Sequence, residues 1–144
     1  EIDLCWRIKS RGMGIVCVPE SKVFHVGGGT LNVESPRKTY LNFRNNLLLL
    51  YKNLPEYSLN HVLFVRWFLD YVAAFQLIIT GKPRNGLAVF TARRDFIRMK
   101  KNFSEKRKTN LSSTRIQMIP QILNKSIIFN YYLKGIKKYS GLFS

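Results

Sequence analysis

Two carboxylates open the chain, Glu1 and Asp3 in EIDLCWR. A carboxylate can take a proton from a hydroxyl or hold a divalent cation. On a helix this pair would point about 200° apart, so both cannot face one ligand. If one is catalytic, the other caps the helix or favours its positive end. His25 stands before three glycines in FHVGGGT. Neutral imidazole is a common metal ligand, and glycine lets a ligand approach the backbone closely. Zinc-type spacing is missing, however, and no Gly-Lys-Ser/Thr follows to make a phosphate loop of the Walker type. Arg44 in YLNFRNN could clamp a diphosphate or a lipid phosphate. Taken singly, each has an ordinary structural use: first-turn acids, a tight turn after an edge strand, a solvated helix face.

The elements that would position these groups fall into two parts. EIDLCWRIKSRG reads as a helix of about three turns, with Ile2, Leu4–Trp6 and Ile8 apolar and Gly12 and Gly14 as stops. GIVCVP reads as a short buried strand closed by Pro19, and KVFHV as a second strand ending in the glycine turn. From Ser35-Pro36 the pattern turns helical. Ser35 is the expected N-cap of a helix that ends before Pro55. A longer helix follows, stopped by Gly81 and Pro83, then a basic helix over RNGLAVFTARRDFIRMKKNF. SEKRKTNLSST has a loop's composition. The expected division is residues 1–35, 36–104 and a basic, aromatic tail over 105–144.

Charge divides the chain at the same place. Residues 1–35 carry four basic and four acidic side chains, so the net +16 of the 144-residue chain belongs to residues 36–144. Twenty cations stand there against Glu56, Asp70, Asp95 and Glu105. Such an excess favours a polyanionic partner, membrane phosphate or nucleic acid. The aromatics cluster with Leu, Ile and Val on apolar helices rather than alternating with Lys and Arg. No helix-turn-helix, zinc-finger or RNA-binding signature is present, so nucleic acid is the weaker choice. Cys5 and Cys17 form no C-x-x-C pair and are expected to be reduced thiols in the cytoplasm.

VLFVRWFLDYVAAFQLIIT, residues 62–80, is long enough to span a bilayer core. Arg66 and Asp70 sit at its middle, each costing about 2.5–3.5 kcal/mol there. They lie four apart and can pair on a helix. A helix lying in the membrane interface, or buried in a hairpin, is therefore expected rather than a span. The core helix of a soluble bundle would show the same periodicity.

In order, the acidic helix, the GIVCVP strand, the VFHVGGGT turn and the RKTYLNFRNN helix resemble family 2 glycosyltransferases, and most of all the bacterial rhamnosyltransferase-like members that build surface polysaccharides. The resemblance covers residues 1–53, and residues 62–103 look like the membrane-associating helices that follow the catalytic domain in that group. It implies an α/β fragment: the C-terminal edge of a GT-A, Rossmann-like catalytic domain followed by a mainly α-helical membrane-associating region. The implied reaction is inverting transfer of a sugar from a UDP- or dTDP-sugar donor to a glycan or lipid-linked acceptor. Mg²⁺ or Mn²⁺ would neutralise the donor diphosphate, its main Asp-x-Asp ligands lying upstream. Glu1 matches the general-base position and Asp3 the supporting acid. His25 matches a residue near the metal. Arg7, Arg44, Gly27 and Gly28 match positions near the donor diphosphate or acceptor. The chain is then expected to begin inside an active site, and to be inactive in isolation. The implied location is the cytoplasmic face of the cell membrane, with an anionic membrane surface as partner and no nucleic acid. The alternatives are a basic membrane-surface anchor or scaffold and, further off, a nucleic-acid-binding module.

Overall fold

The computed structural model describes residues 1–24, 35–123 and 125–142. Among the described residues are six α-helices: α1 (Ile2–Ser10), α2 (Pro36–Asn53), α3 (Glu56–Ile79), α4 (Pro83–Met99), α5 (Ser104–Ser112) and α6 (Ile127–Tyr132). Short 3₁₀ segments span Lys100–Phe103 and Tyr139–Leu142.

The expected α/β class is overturned. Structure is 69% helical, with no strand or sheet among the described residues. GIVCVP is irregular, and Val16 is 84% exposed. The described part of KVFHV, Lys22–Phe24, is irregular too, and Phe24 is 98% exposed. β-Branched content states only that a residue suits a pleated, half-buried surface. A strand exists when a neighbour completes its ladder, and among the described residues these segments have none. SEKRKTNLSST, expected as a loop, is helical as α5 because Arg107 is buried and ties it to the bundle.

The helices follow local rules. Ser35 Oγ accepts a hydrogen bond from the Lys38 amide at 3.2 Å, and Pro36 occupies the first turn of α2. Leu54 is extended, as a residue before proline must be. After α3 the chain reverses through Gly81, whose φ of +80° lies in the left-handed region that glycine tolerates best. Pro83 then opens α4.

Helices α2, α3 and α4 make the bundle. α2 and α4 run the same way: Asn85 bonds Thr39 near their starts, and Tyr51 meets Phe96 edge-on toward their ends. α3 runs antiparallel to α4, since Arg66 and Asp70 meet Arg93, Tyr71 meets Phe90, and Ala74 and Ile78 lie against Gly86. On α4, residues 86, 89, 92, 93 and 96 are buried along one stripe of helical period. Leu47, Leu48 and Phe96 form the core, with Tyr51, Leu63, Met99 and Phe103 packed around it.

α1 attaches differently. Its expected apolar side is largely uncovered, with Ile2 and Leu4 exposed. Polar bonds hold it on α2 instead. At its end, the Ser10 carbonyl accepts from the amides of Arg115 and Ile116, both at 2.8 Å. α5 is fastened by Arg107, which donates to the Tyr51 and Leu54 carbonyls and to Glu56 Oε1. These bonds satisfy carbonyls at the end of α2 that the helix itself leaves open.

Candidate functional site

The residues singled out in the sequence do not converge. Glu1 is exposed at the N-cap of α1, with no capping bond from its side chain. Asp3 is surrounded by donors: Lys52 Nζ at 2.7 Å, Asn53 Nδ2 at 2.8 Å and Arg7 Nε at 3.2 Å. Partial burial acts to raise the Asp3 pKa. The hydrogen bonds from Lys52 and Asn53, with the charges of Lys52 and Arg7, outweigh it and hold the carboxyl below its ordinary value. A carboxylate so held is a weak proton acceptor. Arg7 is spent on this network.

Arg44 lies elsewhere. It donates to the Tyr40 hydroxyl at 3.1 Å and to Asn45 Oδ1, and its guanidinium stands 5.0 Å from the Tyr40 ring centroid. Tyr40 in turn donates to Asp95 Oδ2 at 2.9 Å. Eight residues of α2 separate Arg44 from Lys52, about 12 Å of axial rise. Arg44 and the Asp3 network are therefore two separate clusters. His25, Gly27 and Gly28 lie outside the described residues.

The divalent metal implied by the family resemblance would take its main ligands upstream, and His25 lies outside the described residues. Among the described residues no group of three His, Cys, Asp or Glu could hold an ion. Asp3 is occupied by two cations that would repel one.

A different site emerges on α3. Asp70, 1% exposed in its side chain, binds Arg66 Nη2 at 2.8 Å and Arg93 Nη1 at 2.5 Å. Arg93 Nη1 also donates to the Arg66 carbonyl at 3.3 Å. Arg66 lies 6.0 Å from the Phe43 ring of α2, so the cluster touches all three bundle helices. Burial pushes the Asp70 carboxyl above its ordinary value, against the pull of Arg66 and Arg93. The sequence announced only the Arg66–Asp70 pair. Arg93 was missed, although a signal existed: it is a charge standing on the apolar stripe of α4.

With those charges turned inward, the outer face of α3 is left to aromatics. Phe64, Trp67, Phe68, Val72, Phe75 and Ile79 are exposed along it. Trp67, Phe68, Tyr71, Val72 and Phe75 line a shallow apolar trough. Rings run continuously from Phe64 to Trp67, Tyr71 and Phe90 of α4. α3 is long and apolar enough to cross a membrane, with mean hydropathy 1.7 over its most apolar window, yet only 11% of that window is buried. Beside it, α4 exposes Arg94 and Arg98, and the 3₁₀ turn that follows exposes Lys101. Contiguous apolar surface of this kind marks an interaction site.

No protein-family model, characterised protein or solved structure matches the chain.

Proposed function

We propose that the chain works at a membrane surface, as the membrane-associated helical region of an inverting family 2 glycosyltransferase. The carrying observation is the outer face of α3, aromatic and free of exposed Lys, Arg, Asp and Glu from Tyr57 to Thr80, in a chain of net charge +16. Apolar side chains give attachment at the headgroup boundary, and the cations favour anionic lipid. The transferase itself rests on the residue order of the first 53 positions. It would move a sugar from a UDP- or dTDP-sugar to a glycan or lipid-linked acceptor at the inner face of the cell membrane. The acid–base and metal chemistry of that reaction is not assigned to Asp3, whose oxygens are engaged by Lys52, Asn53 and Arg7.

Co-sedimentation with vesicles tests the membrane role. Binding is expected with phosphatidylglycerol vesicles, weaker with neutral ones, and persisting in part at high salt because insertion is not screened. Equal indifference to both vesicle types would overturn it. The transferase is tested by NMR with UDP- and dTDP-sugars. Weak shifts confined to Arg7, the FHVGGGT segment and Arg44 would support it, and shifts that spare all three would remove these residues from the donor site.

A further inference from the structure

Resting on the membrane-associated role above, we propose that the outer face of α3 and the adjoining stripe of α4 form one anionic-phospholipid docking surface. On it α3 lies along the bilayer plane, with its rings at the acyl boundary and Arg94, Arg98 and Lys101 on lipid phosphates.

The register between the two helices carries the inference. Arg93 meets Arg66, Phe90 meets Tyr71, and Gly86 meets Ala74. Continuing that antiparallel register places Arg94 level with Arg66 and Trp67, the middle of α3. Arg94 is 60% exposed in its side chain. An upright α3 would therefore carry an exposed guanidinium on its companion helix to mid-bilayer, a cost that pairing Arg66 and Asp70 does nothing to relieve. Laid flat, the same register is favourable. On α4, Leu87, Phe90 and Ile97 share one stripe with Arg94 and Arg98 by helical spacing, Lys101 follows in the 3₁₀ turn after the helix, and all are exposed. The apolar members continue the α3 face through the Phe90–Tyr71 contact. The cations then sit beside the rings at headgroup depth, where long basic side chains keep their charge in water.

Charge selects the occupant. Asp95 contacts Arg94 and Arg98, leaving the stripe with three cations against one carboxylate. A second copy of a chain of net charge +16 would set like charges against each other along this edge. Anionic phospholipid meets both halves of the surface.

Three single-tryptophan proteins test the geometry, each with Trp6→Phe so that Trp6 is silent. The first keeps Trp67; the others combine Trp67→Phe with Phe64→Trp or with Phe75→Trp. All three positions are exposed, and far-UV circular dichroism checks that each protein folds. Bound to phosphatidylglycerol-containing vesicles, each is quenched by lipids brominated at a series of depths. Positions 64 and 75 are about 16 Å apart along the helix axis. A flat α3 gives one shallow depth at all three positions. Depths that spread by an amount comparable to that separation overturn the flat orientation while leaving membrane association standing. Failure of all three to bind overturns the membrane role itself. Replacing Arg94, Arg98 and Lys101 together by glutamine is expected to weaken binding roughly 100-fold, as about 1 kcal/mol per cation implies. Unchanged binding would remove these residues from the surface.

Discussion

Asp70→Ala is the most demanding test of the bundle. Asp70 is the shared partner of Arg66 and Arg93, and Arg93 is itself only 8% exposed. Removing the carboxylate strands two guanidiniums, one of them buried, and breaking a buried pair from one side costs about 3–5 kcal/mol. Against a urea dependence of about 1–3 kcal/mol per molar, the unfolding midpoint should fall by at least ~1 M. The assay is equilibrium urea unfolding followed by circular dichroism and by Trp67 fluorescence in a Trp6→Phe background. Trp67 lies on the same helix, three residues before Asp70. A companion variant separates charge from shape. Arg66→Met, Asp70→Leu and Arg93→Met together remove the whole cluster, and such replacements are commonly neutral or stabilising by about 1–4 kcal/mol. A loss below about 1 kcal/mol for Asp70→Ala would refute the buried cluster. A triple variant as damaged as the single one would show that shape, not charge pairing, carries the effect.

Other substitutions probe the remaining joints. Arg107→Met leaves the Tyr51 and Leu54 carbonyls without their donor and should cost about 2–3 kcal/mol, with faster hydrogen exchange in α5; unchanged exchange would contradict the clamp. Gly86→Ala would place a Cβ 2.5 Å from Ile78 Cγ1 and 2.8 Å from the Ala74 carbonyl oxygen. Crowding of about 1–3 kcal/mol should exceed the gain in helix propensity of about 1 kcal/mol, so a more stable variant in urea would refute the close approach of α3 and α4. Asp3 gives a pH dependence. Its folded pKa is held below the ordinary carboxyl value, so its contribution is present above that ordinary value and lost as pH falls through the folded one. Hydrogen exchange in α1 should rise on acidification while α2 stays protected, and Asp3→Asn should abolish the change.

Helix starts and stops were legible because they depend on neighbours in sequence. Ser35-Pro36, the Leu54-Pro55 break and the Gly81–Pro83 reversal act through capping, ring sterics and positive φ, and each lies where its residues placed it. The failure of the expected strands was not legible, because GIVCVP carries the propensity of a strand but the ladder depends on a partner that its own six residues cannot specify. α5 failed for the opposite reason. Its composition is polar and its helix is secured by one contact, Arg107, reaching 51 to 56 positions back. Asp3 followed the same logic: its acidity was visible, but Lys52 and Asn53 are about 50 residues away.

The charges in α3 illustrate how much one neighbour changes. In the sequence, Arg66 and Asp70 argue against a membrane and the rings around them argue for one. Folding separates the two sets by direction. The charges face α4 and α2, while Phe64, Phe68 and Phe75 remain 60–69% exposed. A soluble helix does the reverse, with its rings inward and its charges outward. Such a face is unfavourable in water and demands a cover, and the described residues do not supply one. Another protein or a lipid surface could provide it, and the electrostatics distinguish them. Net positive charge of this size is neutral to an apolar partner, adverse to a second copy and favourable to anionic headgroups. On the proposed membrane role, Arg66 and Asp70 do not interrupt the element: by pairing inward with Arg93, they leave the outer face apolar.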